Sequence, residues 1–395
     1  MMLFMQVLFT VEGKMRTINI VIGSKAYFQE QIKDFSDAVA FLDLIKLSDS
    51  YLGKKQVFPD ELKAKLMILR NDNYHGITEQ ANDRLGNLIY DLTTDDSTIW
   101  IHNPPSNLLF FLSNQKNASE ITLNTTTQTH DIVRDSAKYI EGIASIKENI
   151  IGQNHAIVEI SKTLRYLTTV KRKKPYVVML YGNSSIGKTE LVREIAKKFF
   201  GNQLLEQHLS MFKSNANGDY LFGDKPNRRS IGFDLLERES NLVFLDEFDK
   251  CADFFYSVFY TLFDNTVFKD AVYEVDVSGI LIILTSNYVS EDEMKERLGL
   301  PIFYRIDKFV HFEDFDSATI HKIVCKELDD RFEEYKDYFS KDELYAIVSK
   351  RILTTGENAR TIKNKIQTVL EELLFEKFLE NGSTDTYSLN FIEKV

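Results

Sequence analysis

"GNSSIGKT", Gly182 to Thr189, is the stretch on which the reading of this chain turns. It fits GxxxxGK[ST] and lies between an apolar strand pattern, "YVVMLY" (Tyr176–Tyr181), and the helical run "ELVREIAKKFF" that starts at Glu190. Glycine is needed where a loop turns its N–H groups inward on phosphates, and the following helix N-terminus adds partial positive charge. In such a cradle Gly182, Asn183, Ser184, Ser185, Ile186, Gly187 and Glu190 surround the phosphates of ATP. Lys188 reaches the β- and γ-phosphates, and Thr189 ligates Mg²⁺.

The next apolar strand, "LVFLDEFDK", ends in Asp246 and Glu247. A carboxylate at the end of a buried strand is costly unless something satisfies it, and a Mg²⁺ opposite Thr189 would do so for Asp246. Glu247 is then placed to polarise water for attack on the γ-phosphate, a general-base role. The bland alternative is a solvated acidic strand end. A third strand, "ILIILTSN", ends in Asn287, either an ordinary strand-end asparagine or a group that positions the attacking water. Short buried strands, each followed by turn signals and amphipathic helix, predict a parallel sheet in an α/β domain over 131–315.

Outward from this domain the pattern changes. Residues 316–395 read as a smaller helical unit, with "DSATIHKIVCKELDDRFEEY" and "NARTIKNKIQTVLEELLFEKFL" before a terminal strand "TYSLNFI". Residues 1–112 read as a small α+β domain, a candidate recognition module for substrate or partner. It opens on a hairpin turning at Gly13 and Lys14. Phe28, Ile32, Phe35, Val39 and Leu42 recur at helical spacing, and "DELKAKLMILR" and "ITEQANDRLGNLIYDL" read as two further helices. Residues 113–130, rich in Ser, Thr and Asn, read as a linker with a domain boundary near 125.

Composition bounds the rest. The chain has 395 residues, 44% hydrophobic and 12% aromatic, enough for two or three domains with real cores. Its net charge of -11 gives no global attraction to nucleic acid or anionic lipid. The basic run Lys171 to Lys174 reads as a solvated helix end rather than a phosphate-backbone contact. Cys251 and Cys325 form no CxxC or Cys/His pattern, so neither a disulfide framework nor a zinc site is expected, and a reducing, cytoplasmic setting is the default. No apolar run has the length of a membrane span.

From about Glu148 onward the chain resembles a AAA+ ATPase module of the Clp type, that of the second ring of the Clp disaggregases. "IGQNHAI", Ile151 to Ile157, is similar to the family's vIGQ element, which implies adenine contacts from Ile151 and Gly152. "LFDNTVFKD" resembles the stretch after the Walker B helix, and "LTSN" resembles sensor 1, a role falling on Asn287. "PIFYRIDKFVHFEDF" resembles PEFLNRID, which implies an arginine finger at Arg305 acting on a neighbour's nucleotide. "GENARTIKNKI" resembles the sensor 2 segment GARxLxRxI, placing that role on Arg360, though two extra residues precede the match. The fold so implied is a three-layer P-loop α/β domain with a parallel sheet, followed by a small, mainly helical lid. The implied activity is ATP hydrolysis in a ring, a hexamer in the family, with ATP and Mg²⁺ as cofactors.

The segment between the helix after Walker A and the Walker B strand carries the family's pore loop, GYVG. Here Tyr220, Leu221, Phe222 and Gly223 fall in that place, within "NGDYLFGDKPNRRSIGFD" (Asn217–Asp234), which reads as an exposed loop. An aromatic there can press an extended chain of any sequence by area burial and stacking. The alternative is that Tyr220 and Phe222 fold back on the domain's own surface. "IGF", Ile231 to Phe233, matches the tripeptide by which Clp unfoldases dock a protease ring, but it precedes Walker B, so both apolar residues read as core and no protease partner is expected. Two functions follow: a ring-forming motor that unfolds or remodels proteins chosen by the N-terminal domain, or a nucleotide-switched scaffold, defence-related in one version, whose ATP-bound ring presents that domain to a partner.

Overall fold

The structure is a computed structural model that describes residues 15–130, 132, 135–213, 217–352 and 357–382. The strand expected before Gly13 and the terminal strand "TYSLNFI" lie outside the described residues.

In the N-terminal unit, β1 (Arg16–Ile22), α1 (Lys25–Gln31), β2 (Val39–Ala40), α2 (Phe41–Leu52), β3 (Ala64–Leu69), α3 (Glu79–Asp83), α4 (Leu85–Leu92), β4 (Thr93–His102), α5 (Ser106–Asn117) and β5 (Ile121–Thr127) follow one another. The strands form one sheet in the order β2-β3-β4-β1-β5, and every pairing in it is parallel. The unit is therefore α/β, where the sequence reading expected α+β. "DELKAKLMILR" is not a helix: Ala64–Leu69 is β3, and the helical spacing from Phe28 to Leu42 is interrupted by β2. The period misled because β3 packs on both faces and so carries a near-continuous apolar run, which periodicity cannot tell from a buried helix.

Residues 113–130 are not a linker. Ser113–Asn117 ends α5, and β5 pairs with β1 from Arg16↔Ile121 to Ile22↔Thr127. The segment looks unstructured in sequence because β5 is an edge strand. Ile121 is buried and Leu123 half-buried, and the Thr and Asn side chains of the strand are exposed, while threonine still suits the pleat. Gln128 continues the register, its N–H donating to the Ile22 carbonyl at 2.8 Å.

The central unit comprises α6 (Ser136–Asn149), α7 (Asn154–Thr169), β6 (Tyr176–Tyr181), α8 (Lys188–Phe199), β7 (Leu205–His208), α9 (Gly218–Phe222), α10 (Ile231–Leu236), β8 (Leu242–Asp246), α11 (Tyr256–Asp264), β9 (Val267–Lys269), β10 (Glu274–Asp276), β11 (Leu281–Thr285), α12 (Glu291–Phe303) and β12 (Lys308–His311). Five strands form a parallel sheet in the order β12-β6-β11-β8-β7. Helices cover both faces, so β6, β8 and β11 read as unbroken apolar runs rather than alternations. One core holds Val177, Met179, Val243, Leu245, Ile282 and Leu284, and the other holds Val178, Leu180, Leu242, Phe244, Leu281 and Ile283. The carboxyl ends of β6, β8 and β11 lie side by side, which brings the loop after Tyr181, the Asp246–Glu247 pair and Ser286–Asn287 to one edge.

The lid follows as α13 (Ser317–Tyr335), α14 (Lys341–Arg351) and α15 (Ala359–Gly382), around a core that includes Ile320, Leu328, Leu344, Ile362 and Leu370. Ile151 and Phe315 pack against this core from the central unit. No helix among the described residues is long and apolar enough to cross a membrane.

Ile121→Ala separates a linker from a strand. A linker residue would change stability by less than about 0.5 kcal/mol. A buried isoleucine of β5 is expected to cost about 2–5 kcal/mol by urea denaturation.

Candidate active site

Gly182 stands at φ 134° with its Cα against the backbone of Phe312, where an added Cβ would come within 2.5 Å of the Phe312 carbonyl oxygen. Gly187 has φ 102° and open space around it. Glycine at both ends thus lets the loop turn tightly against β12 and then expose bare backbone as α8 begins. Between them Ser185 also takes the left-handed conformation.

Lys188, the first residue of α8, is folded back under this loop. Its Nζ donates to the carbonyls of Gly182 at 2.7 Å and Asn183 at 2.6 Å, and reaches Asn287 Oδ1 at 3.3 Å. Burial pushes the lysine down to about 8, partly offset by the carboxylates of Asp249 and Asp246. Asp249 is a residue the sequence reading left unassigned. Its side chain is almost fully buried, Oδ2 meets Lys250 Nζ at 2.7 Å, and Oδ1 has no hydrogen-bond partner among the described residues.

Asp246 ends β8 and Glu247 turns out of it in the left-handed region, φ 55° and ψ 46°. For a glutamate this costs about 1–3 kcal/mol, so something must hold it. Thr285 at the end of β11 does: its Oγ1 accepts the Glu247 N–H at 2.9 Å and donates to Asp246 Oδ1. One hydroxyl thus sets both acidic residues, a role hidden in the "LTSN" string because any strand-end threonine reads the same.

These groups line one cavity of about 430 Å³, which takes in Ser184, Ser185, Gly187, Lys188, Thr189, Glu190, Asp246, Glu247, Asn287 and, from the lid, Arg360. Lys363 enters from the same helix, with Nζ 3.1 Å from Glu327. The lid is tied to the loop directly, the Ala359 N–H donating to the Ser185 carbonyl at 3.0 Å. A second cavity of about 260 Å³ adjoins it, lined by Ile151, Ile186, Gly187, Glu190, Phe315 and Ile323 among others, apolar on one side as an aromatic base requires. Gly152 lines neither. Its φ of 82° and the Thr319 methyl 2.3 Å from a would-be Cβ make it the close-packing point between lid and large unit. Gln153, quoted within "IGQNHAI" but given no role, clamps the edges: Nε2 donates to the Ile186 and Glu313 carbonyls and Oε1 accepts the Glu313 N–H. Asn183 donates to both carboxylate oxygens of Asp314.

A hydroxyl, Thr189, and a carboxylate, Asp246, on the wall of one cavity are the hard oxygen donors that suit Mg²⁺. The buried ammonium and the glycine-bounded loop suit a polyphosphate. The residues present therefore fit both groups.

Arg305 lines neither cavity. It follows α12, whose last turn is broken by Gly299 at φ 75° and Pro301, and its side chain donates to the Pro301 carbonyl, pairs with Asp264 at 2.6 Å and lies over the Tyr260 ring.

The family model for the AAA domain (Cdc48 subfamily) matches residues 173–335, the span that holds the phosphate loop, Asp246, Glu247, Asn287 and Arg305. Over this span the chain is similar to AAA+ domains, and the relatives it resembles are of the Clp type. Chaperone protein ClpB of Mycoplasmoides gallisepticum is 25% identical over 280 residues, 64% of this chain and 37% of that protein. ClpB of Yersinia enterocolitica is 30% identical over 158 residues, 37% and 18% of the two. The negative regulator of genetic competence ClpC/MecB of Bacillus subtilis is 22% identical over 282 residues, 60% and 35%. The chain thus spans less than two fifths of the length of each of these relatives.

The segment expected as an exposed loop, Asn217–Asp234, carries the short helix α9 and the start of a second, α10. Gly218–Phe222 is α9, with Leu221 fully buried in the core and so not a surface contact. Tyr220 packs on Phe212 and donates its hydroxyl to Asp234 Oδ2 at 2.6 Å, burial and that carboxylate holding the phenol well above its usual range. Gly223, at φ 69°, packs against Asp270. Phe222 alone of the four is an exposed large side chain, 42% accessible. The loop reading failed because polar Asn217, Gly218 and Asp219 hide a single apolar anchor, Leu221. Ile231 and Phe233 are buried in α10, as their reading as core residues anticipates.

Thr285→Val keeps the volume and removes both hydroxyl bonds, so kcat for ATP hydrolysis is expected to fall roughly 10–100-fold with nucleotide binding retained, measured by coupled ATPase assay and fluorescent-nucleotide titration. Because burial depresses Lys188 to about 8 and bound phosphates favour its charged form, nucleotide affinity is expected to be flat below pH 8. Above it, affinity should drop by up to about tenfold per pH unit, with proton uptake on binding seen by calorimetry in buffers of different ionisation enthalpy.

Proposed function

We propose that this chain hydrolyses ATP in a ring, a hexamer by family likeness, and uses the cycle to remodel or unfold a protein. The observation that carries this is the meeting of Lys188, Thr189, Asp246, Glu247, Asn287 and Arg360 on one cavity while Arg305 stands outside it. Lys188 and the loop N–H groups hold the β- and γ-phosphates, and Thr189 and Asp246 hold Mg²⁺, which neutralises phosphate charge when bound. Glu247 takes a proton from a water whose oxygen bonds to the γ-phosphorus as the bond from that phosphorus to the bridging oxygen breaks, leaving ADP and phosphate. Asn287 orients the water, and Arg360 couples nucleotide state to the lid. Charge developing on the γ-oxygens needs one more cation. Arg305 of a neighbouring copy supplies it, which makes assembly a condition of turnover.

Phe222, rather than Tyr220, is the residue that grips substrate. Its exposure supports this, as does the use of the Tyr220 hydroxyl on Asp234. Contacts between the N-terminal unit and α9–α10, such as Lys225 with Glu79 at 2.9 Å and His75 against the Phe233 ring, favour a second reading. In it the ATP-bound assembly presents the N-terminal unit to a partner and turnover only resets it. The setting is taken to be cytoplasmic.

Glu247→Gln should bind ATP, lose at least roughly 100-fold in kcat and retain protein substrates on co-purification. Phe222→Ala should keep ATPase and lose processing of those captured proteins. Full downstream activity of Glu247→Gln would sink the motor reading in favour of the switch, and unchanged processing by Phe222→Ala would remove threading through this residue.

A further inference from the structure

The topology of the N-terminal unit marks a place for a ligand. α1 covers one face of its sheet with Phe28 and Ile32, while α2, α4 and α5 cover the other through Phe41, Leu44, Ile89 and Leu108. β1 and β4 are neighbours, yet the chain leaves them in opposite directions, from β1 across to the edge strand β2 and from β4 past β1 to β5. In open α/β sheets the crevice outside the carboxyl ends of two such strands is where ligands bind.

At that point lie Ser24 after β1, His102 and Asn103 at the end of β4, and Asn71 after β3, each with no more than 2% of its surface exposed. Polar side chains this deep are costly unless they are bonded. Asn71, His102 and Asn103 meet a carboxylate from the other unit, Glu237, the C-cap residue of α10. Asn71 Nδ2 donates to its Oε1 at 2.9 Å, Asn103 Nδ2 reaches the same oxygen at 3.4 Å, and the Lys25 N–H donates to Oε2 at 3.2 Å. His102 Nε2 donates to the Gly23 carbonyl at 2.8 Å, and burial holds this ring down to about 4, so it stands beside Glu237 as a neutral group. The donors to the carboxylate are thus neutral amides placed across both oxygens. Asn71 Oδ1, buried in the same wall, has no hydrogen-bond partner among the described residues.

We propose that the carboxyl edge of the N-terminal sheet is a carboxylate-recognition site that Glu237 fills as an internal ligand, latching the N-terminal unit to the AAA+ module until an external carboxylate replaces it. The vacant acceptor on Asn71 selects a carboxylate with a neighbouring N–H or O–H donor, the chemistry shared by small amino or hydroxy acids and by a polypeptide's free C-terminus. Displacement frees the end of α10, the helix whose Asp234 also holds Tyr220 of α9. The latch does not depend on nucleotide chemistry.

The test is hydrogen–deuterium exchange on the full chain. In Glu237→Ala, exchange at the amides of residues 23–25 and 231–236 should rise about tenfold or more, as loss of a hydrogen-bonded charged group implies. Sodium acetate should reverse the rise at residues 23–25 but leave that at 231–236, because it fills the site without tethering α10, and sodium chloride at equal ionic strength should reverse neither. Ala-Ala-Ala with a free C-terminus should reverse the rise at 23–25 at lower concentration than acetate if chain ends are the ligand, while its amide should do nothing. Lactate outperforming the free peptide would assign the site to small acids instead. Glu237→Gln, which keeps the packing and one acceptor, should loosen less and ignore acetate. Exchange in Glu237→Ala equal to wild type, or a rise that chloride reverses as well as acetate does, would overturn the proposal.

Discussion

An ammonium group with nowhere to go but under its own loop organises this molecule. Lys188 Nζ is capped by the carbonyls of Gly182 and Asn183 and reaches Asn287, and the cost of burying it is offset by carboxylates at the end of another strand. That arrangement requires β6, β8 and β11 to lie adjacent and in step, because the three groups come from three strand ends. The two apolar cores that sandwich the sheet supply that alignment, since a slip by one residue in any strand would turn its buried face the wrong way.

The same edge is where the lid enters. Ala359 bonds to the Ser185 carbonyl, Arg360 and Lys363 line the cavity, and Gly152 lets Thr319 of the lid pack closely against the large unit. A change in what fills the cavity therefore acts on a rigid helical body rather than on a loose loop. Elsewhere, α9 and α10 connect the core around Leu221 to the N-terminal unit through Phe233 and Glu237. The short helices between β7 and β8 thus have two clients, the exposed Phe222 and the N-terminal unit.

Sequence reading was strongest where chemistry and backbone demands coincide. Gly182 and Gly187 are required by their φ angles, Lys188 and Thr189 follow at a set spacing, and Asp246 and Glu247 close a strand too apolar to end in carboxylates without purpose. It failed where a residue's meaning is borrowed from elsewhere in the fold. β3 reads as helix because a run of buried side chains has no readable period. β5 reads as linker because an edge strand of threonines needs no hydrophobic alternation. Tyr220 and Leu221 read as loop because one buried leucine cannot announce a short helix.

By itself the sequence determined the nucleotide-binding class of the module and the order of its parts, since backbone conformation, metal affinity and strand burial restrict residue types locally. Tertiary structure alone decided that Thr285 sets Glu247, that Asp249 and Gln153 belong to the site, that Phe222 and not Tyr220 is exposed, and that Glu237 reaches into the N-terminal sheet. Each of those is a contact between residues distant in the chain, with energies set by burial and hydrogen-bond geometry that no local pattern encodes.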